Sequence, residues 1–342
     1  MQLPAHTDPS LRSRAGISDG LPQSKVPAFR LINNELGQVK KLLNEQLADC
    51  SDSVSRLAKH LNTWGGKMIR PGLVLLAGKA VSKITDKHIR IAAIVEMIHN
   101  ATLLHHDVID EGQRRRGMPT VNSLWGNESA VLLGDFLLSR VFKMCADLEP
   151  RFQKIIAAAT ARICEGELRQ IIQRQNWQLS ESEYIDIITE KSAALFSSCC
   201  CLGALLAGAG EAKTQSLSDF GLNTGIAFQI TDDLLDIVGN ESKTGKTSGS
   251  DVDKNKLTLA VIHLLRTVDE REKTVVIEKL NTVGKSKAAL VEMLRHHGSL
   301  EYAHSRAQEF TAKAIESLSG SQESGAKDAL IETARFVGCR AI

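Results

Sequence analysis

The 342-residue chain has no run of apolar residues approaching the roughly 20 that a membrane-spanning helix needs. It has seven cysteines but no Cys-x-x-Cys pair, the spacing that many zinc sites use. An odd number of cysteines without a secretory signal is typical of a reducing compartment, so we expect a cytoplasmic protein. The 42 basic residues nearly balance the 40 acidic ones, which argues against a nucleic-acid-binding surface.

Proline is scarce, and its placement indicates an all-α fold. Four of the seven prolines lie at or before Pro27, and none follows Pro150. Because proline interrupts helices, long helices are free to form over the second half of the chain. Apolar residues recur at three- and four-residue spacing in Leu31 to Leu47, Lys87 to Leu104 and Phe152 to Gln175. Alternating, strand-like segments are scarce.

The chain divides into a leader and one domain. Residues 1–29 mix arginines with aspartates and lack an apolar core, so we predict a disordered leader rather than a signal peptide. The helices of residues 30–342 are apolar on several faces and must therefore surround a common core. We predict a single all-α domain of about ten helices over this range.

Two acidic clusters stand out in what the sequence does contain. The first is the HDVID sequence at His106–Asp110, and the second is the DDLLD sequence at Asp232–Asp236. Residues four apart on a helix lie one above the other, so Asp232 and Asp236 stack like charges on one face. Mg²⁺ held by carboxylate oxygens would neutralise them, with water and substrate phosphate completing its shell. The alternative for one cluster alone is a solvated helix face; two clusters in apolar sequence favour the metal.

Basic residues accompany both clusters and can meet phosphate charge. Lys67 and Arg70 lie one turn apart after two glycines, and such a pair can grip a diphosphate. His99 shares a helical face with the start of the first cluster, and Lys246 lies in the loop after the second. Lys191 precedes an apolar helix and, judged by sequence alone, is a surface residue. Each of them alone is more often structural than functional.

Taken together, these segments resemble the trans-isoprenyl diphosphate synthases, specifically their polyprenyl, long-chain branch. The resemblance covers residues 30–342. It rests on ordered segments at matching separations: Gly65–Pro71, Glu96–His99, Arg115–Thr120, Trp125–Asn127, Leu133–Asp135, Cys164–Glu167, Phe228–Asp233 and Gly249–Asp251. It implies the isoprenoid-synthase fold, a helical bundle around a central cavity lined by Mg²⁺.

The resemblance also implies a role for each candidate residue. The diphosphate of isopentenyl diphosphate would bind to Lys67, Arg70, His99 and Arg116. The diphosphate of the allylic substrate would bind to Arg115, Lys191, Gln229 and Lys246. Mg²⁺, or Mn²⁺ in its place, would be coordinated by Asp107, Asp110, Asp232 and Asp236. The catalytic set would comprise these four aspartates with Asp233 and Lys191.

The implied reaction is prenyl transfer. The allylic carbon–oxygen bond ionises, the double bond of isopentenyl diphosphate attacks the carbocation, and loss of a proton leaves a chain one isoprene unit longer. Ala101 and Thr102 are small where short-chain members carry a bulky aromatic residue, and Ile98 one turn away is aliphatic. We therefore expect a long all-trans polyprenyl diphosphate of the quinone side-chain type. We expect a homodimer, with a heteromer as the alternative.

One departure from the family pattern affects the metal site. The family's first motif opens with two aspartates, whereas this chain has His106 at the opening position. Imidazole is a poor ligand for Mg²⁺. Two interpretations stay open: an active enzyme with altered metal affinity, or a non-catalytic, regulatory subunit of a heteromeric prenyl diphosphate synthase. The retained aspartates and bases favour the active enzyme. A terpene cyclase on the same fold would not need the residues that bind isopentenyl diphosphate.

Overall fold

The structure is a computed structural model that describes residues 26–63, 66–238, 256–281 and 287–338. Nearly all of these residues are helical, which confirms the all-α prediction. One short hairpin interrupts the helices: β1 (Arg114–Arg115) pairs antiparallel with β2 (Met118–Pro119). Lys246 and residues 1–25 of the predicted leader lie outside the described residues.

The helices fall into two consecutive groups. After a 3₁₀ turn at Pro27–Ile32, the first group is α1 Asn33–Ala48, α2 Asp52–Thr63, α3 Ile69–Val81, α4 Asp86–Ile109, α5 Val121–Cys145 and α6 Pro150–Ile172. The second group is α7 Glu181–Ile188, α8 Ala194–Leu206, α9 Glu211–Val238, α10 Leu259–Thr267, α11 Glu270–Asn281, α12 Lys287–His296, α13 Ser299–Ser317 and α14 Gly325–Gly338. The three segments with predicted helical periodicity coincide with α1, α4 and α6.

Six helices pack side by side and fix the positions of the two acidic clusters. In spatial order they are α13, α9, α8, α3, α4 and α5, each in contact with the next. The α8–α3 contact is close because Gly203 has no side chain: a Cβ there would lie 2.2 Å from the carbonyl oxygen of Val74. This spacing sets α4, which carries the first cluster, and α9, which carries the second, on opposite sides of the α3–α8 pair.

Buried apolar side chains form two clusters that follow this division only in part. The first draws mainly on α1–α6 but also on α8 and α14, and the second on α7 and α9–α13. Each fully buried Leu, Ile or Phe contributes about 1.5–3 kcal/mol relative to an exposed one. The two clusters adjoin along α8 and α9. The organisation of residues 30–342 as a single domain stays a prediction.

The predicted start of the folded region at residue 30 is wrong by several residues. Val26 and Phe29 are fully buried in the first cluster. The Phe29 ring lies where a Cβ of Gly72 would be, so it packs directly on α3. An apolar residue at the end of a polar leader gives no local sign of this burial, because its partner lies far along the chain. Within the described ranges, every helix is too short or too polar to span a bilayer.

Candidate active site

The first acidic cluster lies at the C-terminal end of α4, where Asp107 is paired with a predicted diphosphate ligand. Asp107 is buried, and Arg115 donates to both of its carboxylate oxygens, at 2.9 and 2.7 Å to Oδ1 and 3.0 Å to Oδ2. Such charge-assisted pairs are stronger than neutral hydrogen bonds. A metal at Asp107, or a diphosphate at Arg115, would share its ligand with this ion pair.

The β1–β2 hairpin sends two neighbouring arginines to different places. Its two-residue turn consists of Arg116 and Gly117, both with positive φ (52° and 82°), as a tight hairpin with right-handed strand twist requires. A non-glycine residue in this conformation costs roughly 1–2 kcal/mol. The turn leaves Arg115 beside Asp107 and directs Arg116 into a separate buried pocket.

We call the pocket that Arg116 enters the arginine pocket; it contains Arg70, Arg116, His99 and Glu96. Burial lowers the pKa of both arginines, and the nearby Glu96 carboxylate opposes that shift. Burial raises the pKa of Glu96, which the two arginines counteract. Burial and the arginines lower the pKa of His99 well below its usual value, so its imidazole is neutral. Two guanidinium groups thus share Glu96, which leaves positive charge for a bound anion.

The segment before α3 closes over the arginine pocket. A Cβ on Gly66 would lie 3.0 Å from Nη1 of Arg116 and 3.4 Å from Oε1 of Glu96. The next residue, Lys67, places its Nζ 5.1 Å from the ring centroid of Phe336 in α14. The structure therefore brings Arg70, His99 and Arg116 together and passes the chain leading to Lys67 across them. Sequence reasoning gave no role to Glu96, although it lies one helical turn before His99.

Within the second acidic cluster, Asp233 accepts hydrogen bonds from two neutral donors. Asp233 is buried in α9 and accepts hydrogen bonds from the Tyr184 hydroxyl and from Nε2 of Gln229, each at 2.7 Å. The Ser192 hydroxyl in turn donates to Oε1 of Gln229 at 2.5 Å. These hydrogen bonds orient the Asp233 carboxylate. The Gln229 side chain contacts Asp233 and Ser192 in this structure, and the binding of Gln229 to the allylic diphosphate stays a prediction.

The other two aspartates of this cluster, Asp232 and Asp236, are only half-buried. Asp232 is among the carboxylates that oppose the burial-induced fall in the pKa of Arg70 and Arg116. The second acidic cluster thus lies within electrostatic reach of the arginine pocket, as the predicted division of the site requires.

Lys191 lies in a π-helical turn, Thr189–Ala193, between α7 and α8. Turns of this kind occur frequently at functional sites. A Cβ on Gly166 would lie 2.4 Å from the Lys191 backbone nitrogen, so α6 can touch the turn only because residue 166 is glycine. The Lys191 Nζ lies 2.8 Å from Oε1 of Gln170 and 3.2 Å from Oε1 of Glu167. The surface position expected from sequence alone is wrong, because the side chain is only 12% exposed.

His106 projects from α4 toward the same carboxylate. Its Nε2 lies 3.4 Å from Oε1 of Glu167. Burial lowers the pKa of His106 to about 4, and Lys191 adds to that effect while Glu167 and Asp110 oppose it. The imidazole is therefore neutral near pH 7. Glu167 connects His106 to Lys191, a contact that sequence reasoning missed because the three residues lie on different elements.

Asp110 follows the last residue of α4 and is paired with two cations. Lys256 donates to its Oδ2 at 2.9 Å, and Nη2 of Arg174 lies 3.6 Å from its Oδ1. Lys256 is buried, and it follows the loop after the second cluster in which positive charge was predicted. Sequence reasoning did not single out Arg174, for which no local motif gives a signal.

The donor set fits a hard divalent cation only in part. In the described part of the chain, no three His, Cys, Asp or Glu side chains come together as a ready metal site. The oxygens of Asp110, Asp232 and Asp236 are the ligands that Mg²⁺ or Ca²⁺ prefers, whereas a neutral imidazole is not. Arg115 and Lys256 neutralise the first cluster in this structure, and a bound cation would take over that role.

The residues predicted to control product length line α4 below the first cluster. Ile98 and Ala101 are fully buried, and the Thr102 hydroxyl donates to the His99 carbonyl at 2.8 Å. No water-sized space therefore touches Ala101, and a prenyl tail passing there must move neighbouring side chains. The small side chain at residue 101 keeps that displacement small.

Comparison with known proteins identifies the family. The sequence model of the family described as Polyprenyl synthetase matches residues 51–296. The chain belongs to the polyprenyl synthetase family. The family assignment confirms the predicted resemblance, the isoprenoid-synthase fold and the enzyme class: the chain is a prenyltransferase.

Individual relatives are similar over nearly their whole length. An octaprenyl diphosphate synthase of Haemophilus influenzae is 35% identical over 89% of this chain and 94% of its own length. A short-chain isoprenyl diphosphate synthase of Methanothermobacter thermautotrophicus is 34% identical over 86% of this chain and 93% of its own length. Among solved structures, a Caulobacter crescentus polyprenyl synthase complexed with calcium and isoprenyl diphosphate has a TM-score of 0.88 and 32% identity, covering 92% of this chain and 97% of that one.

Proposed function

We propose that this prenyltransferase condenses isopentenyl diphosphate with an allylic prenyl diphosphate and makes a long-chain all-trans polyprenyl diphosphate. The observation that carries the proposal is the presence of two separate cationic groups beside the acidic clusters. One is the arginine pocket with Arg70 and Arg116, and the other is Lys191 on its π-helical turn. Two anion-binding groups suit a reaction that joins two diphosphate substrates, whereas a terpene cyclase binds one.

The arginine pocket suits the substrate that keeps its diphosphate. Arg70 and Arg116 lie within electrostatic reach of Glu96 and supply charge that is already desolvated, and the neutral His99 can donate one hydrogen bond. Lys191 suits the substrate that loses its diphosphate, because a lysine beside the departing group stabilises the charge that grows there. The released pyrophosphate is the base that takes up the proton in this scheme.

A divalent cation is part of the proposed function, and we assign Mg²⁺ to it. Asp110, Asp232 and Asp236 would hold the ion, in keeping with their hard oxygen donors. When bound, it neutralises charge on the departing diphosphate and so favours ionisation of the allylic bond. The calcium and isoprenyl diphosphate in the Caulobacter crescentus structure support this assignment by analogy.

A homodimer would cover an apolar surface on α5 and α6. Leu132, Phe142 and Ile172 are 67%, 71% and 75% exposed, with Val131 and Leu168 beside them in the sequence. Exposed large apolar side chains on neighbouring helices often mark a protein interface. Light scattering of the purified protein would test this: a monomer at micromolar concentration would contradict it, and a requirement for a second gene product would favour the heteromer. The predicted cytoplasmic location stays a prediction.

The decisive experiment is incubation of the purified chain with farnesyl diphosphate, labelled isopentenyl diphosphate and Mg²⁺, followed by chromatography of the products. We expect products of many isoprene units. A protein that is inactive alone and becomes active only when a partner is added would favour the regulatory-subunit alternative. No feature of the described site supports that alternative.

Product length has its own test at residue 101. Ala101→Phe should shorten the products sharply, because the ring would obstruct the path that a growing tail must open between the side chains below the first acidic cluster. Ala101→Ser is the matched control and should leave the product length unchanged, since it adds one oxygen atom. A wild-type enzyme that stops at geranylgeranyl diphosphate, as the short-chain relative's name allows, would contradict the long-chain proposal.

A further inference from the structure

The first acidic cluster is short of carboxylate oxygens. Residue 106 is a histidine, which supplies no carboxylate, and both oxygens of Asp107 accept hydrogen bonds from Arg115. The cluster at the end of α4 thus offers the carboxylates of Asp107 and Asp110, each paired with a base, Arg115 and Lys256. One or two carboxylates usually hold a Mg²⁺ ion that also binds phosphate, so the cluster is close to the lower limit.

Another carboxylate stands beside residue 106, on a different helix. Glu167 of α6 lies 3.4 Å from the His106 ring nitrogen, and its side chain is 14% exposed. At this distance the contact is longer than a good hydrogen bond, so the imidazole does not tie the carboxylate down. Gly166 is what lets α6 come so close, because any side chain there would collide with the Lys191 backbone.

Two matching carboxylate–lysine pairs flank the imidazole. Lys191 lies 3.2 Å from Glu167, and Lys256 lies 2.9 Å from Asp110. All four charged groups contribute to the electrostatic surroundings of His106. The imidazole therefore separates two carboxylates that each carry a lysine as counter-ion.

From this arrangement we infer that Glu167 supplies, from α6, the cation-binding carboxylate that the first acidic cluster lacks at position 106. The inference rests on the proposed function, because it assumes that a divalent cation binds at this cluster. In the cation-free protein Lys191 neutralises Glu167. A bound cation takes over that charge and leaves the Lys191 ammonium free for the allylic diphosphate, so cation binding and diphosphate binding reinforce each other.

The first test measures cation binding directly. Binding of Mn²⁺ to the full-length protein is followed by electron paramagnetic resonance, with inorganic pyrophosphate present. Glu167→Gln keeps the shape of the side chain and should weaken Mn²⁺ binding about tenfold. Glu165→Gln is the matched control, since Glu165 is an exposed residue on the same helix. Equal affinities of the two variants, with unchanged thermal melting, would overturn the inference.

The second test uses residue 106 itself. His106→Asp restores a carboxylate at the opening position and should tighten Mn²⁺ binding. Adding Glu167→Gln to that variant should then change the affinity by less than about threefold, because the two carboxylates serve the same purpose. If Glu167→Gln weakens binding equally in both backgrounds, Glu167 acts independently of position 106 and the inference fails.

The third test removes the competing lysine. Lys191→Met should strengthen Mn²⁺ binding without pyrophosphate, because Glu167 then has no counter-ion, and should reduce the additional tightening that pyrophosphate brings. A Lys191→Met variant that binds Mn²⁺ as the wild type does under both conditions would contradict the coupling. The turnover assay separates this inference from the proposed function. If the wild type elongates farnesyl diphosphate but Glu167→Gln binds Mn²⁺ normally, the proposed function stands and the inference about Glu167 fails.

Discussion

The buried aspartates of the two acidic clusters, Asp107 and Asp233, accept hydrogen bonds from different kinds of donor. At the first, Asp107 and Asp110 are paired with the cations Arg115 and Lys256. At the second, Asp233 accepts hydrogen bonds from neutral donors. A cation both orients a carboxylate and cancels its charge, whereas a neutral donor only orients it. The cations Arg115 and Lys256 thus lie against the first cluster, and the contacts with Tyr184 and Gln229 orient the Asp233 carboxylate of the second.

A divalent cation at the first cluster would compete with Arg115 and Lys256 for the carboxylates of Asp107 and Asp110. The predictions that follow test this difference between the clusters.

The largest effect is expected at the second cluster. Asp232→Ala removes a half-buried carboxylate whose charge matters chiefly as the diphosphate departs, so kcat should fall by about 10³ or more. Steady-state assays at saturating substrates measure it. Asp219→Ala, on the same helix outside the cluster, is the control and should change kcat by less than about twofold. Activity of Asp232→Ala near the control value would remove the basis for the metal assignment.

The next effect separates the two cationic groups. Arg116→Ala should raise the KM for isopentenyl diphosphate by about 10- to 100-fold, since it removes a charged hydrogen-bond donor from the arginine pocket. Lys191→Ala should instead raise the KM for the allylic substrate and lower kcat. Initial rates with each substrate varied in turn provide the comparison. Equal effects of both variants on both substrates would show that the arginine pocket and Lys191 are not separate binding sites.

A smaller effect is expected on the unfolding free energy of the protein at low pH, through His106 of the first cluster. The pKa of His106 is lowered from 6.5 to about 4, so between these values the unfolded chain binds a proton that the folded protein does not. The unfolding free energy should therefore fall as the pH drops from 6.5 to 4. We expect a loss of about 2 kcal/mol, below the full value of the shift because 25% of the side chain is exposed.

His106→Asn lacks this proton-binding group and should lose correspondingly less stability over the same range. Urea unfolding of both proteins at pH 7 and pH 4.5 gives the comparison. The same loss in wild type and variant would mean that His106 is not held neutral by its surroundings.

The smallest effect is expected from a neutral donor. Tyr184→Phe removes the hydroxyl that donates to the buried Asp233 and should lower the unfolding free energy by about 1–2 kcal/mol. Tyr302→Phe is a matched control, because Tyr302 also donates to a carboxylate, that of Glu181, in a less buried place. The unfolding free energy of Tyr302→Phe should fall by less than that of Tyr184→Phe, and the kcat of Tyr302→Phe should be unchanged. A Tyr184→Phe variant as stable as the wild type would show that neutral donors contribute little at this cluster.

Some of the site could be predicted because it depends on neighbours along the chain. The helical periodicity of α1, α4 and α6 and the stacking of Asp232 over Asp236 follow from the fixed 3.6-residue repeat. The order of the acidic and basic segments was sufficient for the family, and the comparisons confirm it. The sequence by itself therefore determined the helices, the family and the identity of the charged residues available for catalysis.

Only the tertiary structure decided which charges meet. The pairing of Asp107 with Arg115 depends on a left-handed turn at Arg116, and the contact between Glu167 and Lys191 depends on a π-helical turn against Gly166. Neither has a local signature, because each is stabilised by groups on other elements and is unfavourable for an isolated segment. A charged side chain can reach many partners from its place in the sequence, and the packing of the helices selects the few that it meets.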